Sequence, residues 1–211
     1  MAAINHAPFD GWNSSTMRQA ADDAEIDHGT VKLAFPGGAR ELLEYFSAWA
    51  DQQMIDRFDA AKAAGETDGL GIRGSIKLAL TLRFDAIAPY REAMRRAVTF
   101  EALPHNAPSG GMAIYHTVDA AWRVIGDTST DFNFYTKRAL LAGAFSATLL
   151  FWLNDHSEGA ADTDAFLERR LDDVMVIGKV RAKVETAVGR LPNPFRLAAA
   201  LRFPSPPLRR R

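Results

Sequence analysis

The 211-residue chain contains no cysteine. Disulfides, thiolate metal centres and cysteine nucleophiles are thereby excluded, and a reducing cytoplasm fits. Long hydrophobic runs are missing too. The longest mainly apolar stretch, Ala139 to Leu153, has 15 residues, against the ~20 that a membrane span requires, so a buried helix is expected there. The N-terminal MAAINHAPFDGW has no basic n-region, no apolar h-region and no arginine. Neither a signal peptide nor an organelle transit peptide is expected from it. No stretch alternates apolar and polar residues for long, which argues against strands.

Catalytic and metal signatures also fall short. Gly69 to Gly74 spells GxGxxG, but a dinucleotide site needs a preceding strand and a βαβ unit; a flexible loop is expected instead. Glu25 to His28 spells ExxH, half of a di-iron carboxylate signature, with no second copy. His6, His28, His105, His116 and His156 show neither HxH nor HExxH spacing. Asp155, His156 and Ser157 are adjacent, yet triad members meet through a fold and not through adjacency. No GxSxG elbow occurs. No catalytic residue, metal or cofactor is assigned.

What the chain does have is helical material. Hydrophobic residues make up 47% and charged residues 24%, as in ordinary globular proteins. Apolar positions recur at three and four, and Ala- and Leu-rich segments dominate. Breakers at Pro36-Gly37-Gly38, Gly65 to Gly74, Pro104 to Gly111 and Asn154 to Asp162 delimit helices near 38–63, 75–103, 112–125, 130–153 and 163–189, with Pro89 kinking or breaking the second. The last carries a stripe of Leu167, Leu171, Val174, Ile177, Val180, Val184 and Val188, expected to pack against the body. The net charge of −1 conceals an asymmetry. Residues 186–211 hold six arginines and no acid, and the rest carries 19 Lys plus Arg against 26 Asp plus Glu, a net of −7. A basic tail on an acidic body suggests a surface contact made by the tail.

Residues 1–56 form a first domain. Met17 to Ala24 reads as a short helix, Ala24 to Val31 as a turn opening a second, and Phe35-Pro36-Gly37-Gly38 as the break before a third, long one. Two short helices joined by a tight turn make a helix-turn-helix, and the spacing resembles the DNA-binding domain of TetR-type repressors. Phosphate neutralisation is wanting, however. Arg18, Lys32 and Arg40 face nine acids, a net of −6, and Asp22, Asp23, Glu25 and Asp27 crowd the approach to the recognition helix. Few residues precede Pro8, so the first helix is expected to be clipped. A scaffold that does not bind DNA is the reading, with a TetR-type regulator that senses a hydrophobic ligand as the alternative.

Residues 57–190 are read as a second, larger helical domain, and 191–211 as a basic, proline-rich tail. The most informative stretch is Gly126 to Arg138, GDTSTDFNFYTKR. One Ser, Thr or Asp suffices to start a helix; this segment packs several small polar groups, three aromatics and two cations before the apolar run. It is either a recognition surface at the head of a buried helix or an elaborate cap with aromatics tucked into core.

Together with Pro8-Phe9-Asp10-Gly11-Trp12, Phe35-Pro36-Gly37-Gly38 followed by Glu41-Leu42, and Phe166 to Met175, that segment resembles one family, in the same order and spacing, from about Pro8 to Lys183: the ubiquinone (coenzyme Q) biosynthesis accessory lipid-binding proteins, the ninth Coq protein and its bacterial relatives. One departure is Phe134, where family members usually carry Trp, losing the indole N–H donor. The resemblance implies an all-α, TetR-like fold, usually a homodimer. It further implies a non-catalytic protein that binds isoprenoid or quinone lipids at the membrane and presents them to the demethoxyubiquinone hydroxylase. Carried over as partner-surface candidates are Asp131, Asn133, Phe134, Tyr135, Lys137 and Arg138.

A polyprenyl tail wants a dry, apolar cavity. Leu141, Phe145, Leu149 and Trp152 fall on one stripe of the buried helix, and with Trp122 they are the lipid-pocket candidates. In the tail, Pro194 to Phe203 reads as a short interfacial helix, with Phe195, Leu201 and Phe203 as apolar anchors and Arg196 and Arg202 meeting anionic headgroups. The alternative there is a disordered, proline-rich end. The expected location is cytoplasmic, peripheral to the inner membrane.

Overall fold

Helix starts and stops follow capping chemistry. The computed structural model describes residues 2–127 and 132–189, and of Phe132, Asn133 and residues 177–189 the backbone alone. The helices are α1 (Ala3–Asp10), α2 (Ser14–Asp23), α3 (His28–Ala34), α4 (Ala39–Ala63), α5 (Ile72–Ile87), α6 (Arg91–Glu101), α7 (Ala107–Val124), α8 (Phe132–Trp152) and α9 (Ala161–Gly189). No strand occurs among the described residues. The all-α expectation holds.

α1 ends where Gly11 takes φ 74°, and the reversal turns Trp12 inward, 4% exposed. Its indole N–H donates to the Ala93 carbonyl at 3.0 Å, and its ring stacks on Phe46 at 6.0 Å. Asn13 then caps α2, accepting from the Ser15 and Thr16 amides. α2 closes with Ile26 N–H on the Ala21 carbonyl and Glu25 N–H on that of Asp22. That six-to-one and five-to-two pair is the Schellman pattern, with Glu25 at φ 53° where glycine is usual. Asp27 caps α3 through the Thr30 amide. The helix-turn-helix therefore lies where the sequence places it.

The break at Pro89 is a short 3-10 turn, Ala88–Tyr90, so the predicted helix 75–103 is two helices, α5 and α6. α7 starts earlier than predicted, at Ala107 and not near 112. Pro108 sits in its first turn, where the missing N–H costs no hydrogen bond. Gly110 is needed there for close approach, because a Cβ would lie 3.0 Å from the Glu101 Cβ.

Residues Met1–Val174 make one compact unit and Met175–Arg211 another. In the first, α4 packs against α5 and α7, α7 against α8, and α1 against α6. Met54, Leu80, Ile87, Val118, Leu141, Phe145 and Trp152 are buried in one continuous core; full burial of such side chains contributes about 1.5–3 kcal/mol each. Leu167 and Leu171 of α9 join it and Val174 packs on its edge, as the stripe predicts; the stripe's side chains from Ile177 onward lie outside the described residues. Lys77 and Arg73 of α5 reach Asp164, Glu168 and Asp172 of α9 across the surface. In the second unit the described part, residues 175–189, is helical.

Candidate functional site

The segment that stands out in the sequence links α7 to α8. α7 ends in another Schellman pair: the Asp127 N–H donates to the Trp122 carbonyl and that of Gly126 to the Arg123 carbonyl. This requires φ 86° at Gly126, which an L side chain rarely adopts. The turn sets the Asp127 carboxylate over the end of α7, facing the first turns of α8.

Two cations of α8 converge on the acids there. Arg138 is 2% exposed; its Nε donates to Asp119 Oδ1 at 2.7 Å, and its Nη1 lies 3.5 Å from Asp127 Oδ2. The other Asp119 oxygen takes Arg123 Nε at 2.8 Å. Lys137 Nζ lies 3.4 Å from Asp127 Oδ1 and 5.4 Å from the centre of the Trp122 ring. The Arg138 guanidinium lies 3.4 Å from the Phe134 ring centre, and Phe134 meets Tyr135 edge-on at 5.1 Å. Tyr135 projects outward, 67% exposed.

Of the six partner-surface candidates, Tyr135 is thus exposed, Phe134 half-buried behind it, and Lys137 and Arg138 turned into the ion-pair network. Arg138, buried as it is, has no surface to offer a partner directly; it fixes the turn that carries Tyr135. Asp131 lies outside the described residues, as does the side chain of Asn133. So does the whole tail from residue 190, with Phe195, Arg196, Leu201, Arg202 and Phe203.

The five lipid-pocket candidates are all core. Trp122, Leu141, Phe145, Leu149 and Trp152 are each at most 8% exposed. Phe145 and Leu149 line a cavity of about 30 Å³ together with Ser47, Arg83, Glu101 and Thr117. Trp152 borders a cleft of about 250 Å³ and lies under the Arg91 guanidinium at 4.6 Å. An apolar cavity of about 160 Å³ lies elsewhere, within the helix-turn-helix, bounded by residues of α1 to α4.

Sequence reasoning missed the polar wall of the small cavity. Arg83, 3% exposed, donates from Nε to Asp51 Oδ1 at 2.7 Å and from Nη2 to Ser47 Oγ at 3.3 Å. Thr117 Oγ donates to the same Asp51 oxygen at 2.8 Å. Burial pushes the Glu101 carboxyl up to about 6, partly offset by Arg83. No motif marks these residues, which come from four helices.

The dismissed motifs resolve as ordinary structure. His28 pairs with Asp22 at 2.7 Å, and Glu25 sits in the α2–α3 turn. Gly69 lies in the turn before α5, but Gly71 caps that helix and Gly74 lies inside it, so the loop expected over Gly69 to Gly74 ends at Gly71. Ser157 donates to Asp155 Oδ1 at 2.6 Å while His156 is exposed, a local turn with no triad geometry. Among the described residues no cluster of metal-ligating side chains forms, and no helix is long and apolar enough to cross a membrane.

The helix order and the helix-turn-helix define an all-helical, TetR-like protein. A TetR transcriptional regulator from Nitrosomonas europaea ATCC 19718 has the same fold, with a TM-score of 0.65 over 82% of this chain and 94% of that one, at 20% identity. The COQ9 family model matches residues 107–178, that is, α7, α8, the Asp119–Arg138 network and the first part of α9. The human mitochondrial ubiquinone biosynthesis protein COQ9 is 28% identical over 187 residues, 88% of this chain and 59% of that protein. A probable ubiquinone biosynthesis protein coq9 from Dictyostelium discoideum is 29% identical over 88% of this chain and 61% of its own length. The chain thus spans about six-tenths of the curated relatives it matches. It is COQ9-like, and the resemblance carried by its motifs is borne out.

Proposed function

We propose that this protein is a non-catalytic accessory factor of ubiquinone biosynthesis. It binds an isoprenoid or quinone precursor and presents it to the demethoxyubiquinone hydroxylase. The observation that carries this reading is the ion-pair network that holds Tyr135 and Phe134 at the head of α8, inside the stretch matched by the COQ9 family model. Five charged groups, Asp119, Arg123, Asp127, Lys137 and Arg138, converge behind one exposed aromatic and its neighbour, which suits a docking surface better than a cap; aromatic anchors carry much of the energy of such contacts. In this reading Tyr135 and Phe134 meet the hydroxylase, together with Asp131, Asn133 and Lys137. Arg138 acts from behind, and Trp122, Leu141, Phe145, Leu149 and Trp152 form the wall of the lipid-binding helical body.

Two further parts of the proposal rest on the sequence. The tail helix 194–203 lies on an anionic membrane surface, so removing residues 192–211 lowers liposome binding; unchanged binding removes the tail from the membrane contact. A homodimer forms through α8 and α9, as the fold analogy suggests.

The test is mass spectrometry of lipids extracted from natively purified protein. A polyprenylated phenol or quinone near stoichiometry supports the carrier role, whereas clean protein or bulk phospholipid alone refutes it. For the surface, Tyr135→Asp weakens hydroxylase capture while circular dichroism stays native; an unchanged affinity takes Tyr135 out of the site. A repressor role is disfavoured by Asp27, whose carboxylate already holds the N-terminal amide of Thr30, and by His28, tied to Asp22. Saturable binding to promoter DNA at low salt would restore it.

A further inference from the structure

The helix-turn-helix has an unusual interior. α3 buries none of its residues. Its inward side chain, Val31, is half-buried and faces a cavity of about 160 Å³. The other walls are Ile4 and Trp12 from the first turns of the chain, Ala20 and Ala21 from α2, and Leu42 and Trp49 from α4. No lining residue is charged. An enclosed apolar cavity of about 150 Å³ takes up a small hydrocarbon such as benzene; this space has a similar volume and opens to solvent on one side, which suits one isoprene-sized segment of a longer chain. Ile26 and Tyr45 line it and are 46% and 62% exposed, which makes them its mouth.

Little packing holds α3 over this space: none of its residues is buried, and the Phe35 ring that closes it meets Tyr45 edge-on at 6.0 Å. Asp27 caps its start, and after it the Glu41 carboxylate accepts the Gly37 N–H at 2.7 Å, so the helix is tied at its ends and unfilled beneath. An occupant would supply the apolar contacts that α3 lacks. The rim selects its charge. Asp22, Asp23, Glu25 and Asp27 stand in or beside the α2–α3 turn on either side of Ile26, and Glu41 lies one helical turn before Tyr45 on α4, within residues 1–56 whose net charge is −6. An anionic chain, such as a fatty-acid carboxylate, is repelled there; a neutral one is not.

We propose that this cavity binds the apolar end of an uncharged prenyl-type chain, and that occupancy orders α3. The helix-turn-helix is then a lipid subsite in place of a DNA reader. The inference rests on the lipid-binding reading above and locates one end of the lipid in α1–α4, away from the α8 core.

The experiment is hydrogen–deuterium exchange on the full, delipidated chain with farnesol as probe and palmitate as the charged control. Ala20→Phe fills the cavity from α2, and Ala24→Phe closes it from the exposed rim. The expected result is protection of amides in residues 14–34 with farnesol but not with palmitate at neutral pH. Both variants abolish that protection and weaken farnesol binding at least about tenfold, with native helical content. Protection confined to α4–α8, equal protection by palmitate, or unchanged protection in both variants overturns the proposal. The wild-type pattern alone decides the matter if a variant does not fold. Loss of the subsite is separable from loss of the carrier role. Prenyl lipid that co-purifies undiminished with both folded variants keeps the carrier and refutes the subsite; absence of lipid and of farnesol binding refutes both.

Discussion

Replacing Arg138 with Met tests whether the buried guanidinium is an internal anchor. Met has similar length and no charge, so the change strips the pairs to Asp119 and Asp127 and leaves volume nearly intact. Breaking a buried ion pair from one side costs roughly 3–5 kcal/mol, because the remaining charge stays desolvated. Asp119 retains Arg123 at 2.8 Å, but that arginine side chain is 73% exposed and compensates only in part. About 3 kcal/mol is therefore expected. For a domain of this size 1 kcal/mol moves the melting temperature by roughly 2–4 °C, so Arg138→Met should melt about 6–12 °C lower in a circular-dichroism scan. Adding Asp119→Asn, which removes the stranded charge, should recover part of that loss, and the double-mutant cycle then gives a favourable coupling above ~1 kcal/mol. A shift below ~2 °C, or a coupling near zero, refutes the argument, since Arg138 would then be solvated and free for direct partner contact.

Lys137→Met should cost far less, about 0–1 kcal/mol, because its side chain is partly exposed; a loss matching that of Arg138 would put the weight of the network on the wrong cation. Glu101→Gln should raise stability at pH 7 by up to about 2 kcal/mol and do little near pH 4, as read by urea denaturation. The native carboxyl titrates at about 6 against an ordinary 4.5, so the folded state binds the extra proton and the cost of ionising it accrues as pH rises from 4.5 through 6. A gain that is the same at both pH values would sink the attribution to charge burial. At the α8–α9 connection Asp155 accepts from the Ser157 and Thr163 amides and both hydroxyls, and these bonds outweigh its burial and hold its carboxyl below the usual range. Its contribution is present above the ordinary carboxylate value and lost as pH falls, so Asp155→Ala should destabilise by about 1–3 kcal/mol at pH 7 and by less in strong acid.

Local signals were legible because they are local. The helical class, the break at Pro89 and the helix-turn-helix all follow from residues within a few positions of one another. The start of α7 was misplaced because Pro108 and Gly110 read as breakers, although Pro is tolerated in a first helical turn and Gly110 serves the packing of Glu101. The site was half legible. GDTSTDFNFYTKR announces itself, yet nothing in it says that Arg138 points inward, because its partner Asp119 lies on α7, 19 residues away. The Arg83–Asp51–Thr117 cluster is invisible for the same reason. A cavity is harder still: it arises where Ala20, Ala21 and Ala24 face large side chains across a gap, and alanine is also what a well-packed helix contains.

Charge and packing in the first four helices point the same way. A recognition helix that reads DNA needs a firm footing and a phosphate-friendly approach. α3 has neither: it buries none of its residues, and it begins at Asp27 with its amide dipoles facing a carboxylate. The arrangement would be an accumulation of defects in a reader of nucleic acid. For a subsite that admits a neutral hydrocarbon, each feature has a physical role. The loosely seated helix leaves room, the apolar walls favour the chain, and the acidic rim rejects both phosphate and fatty-acid carboxylate.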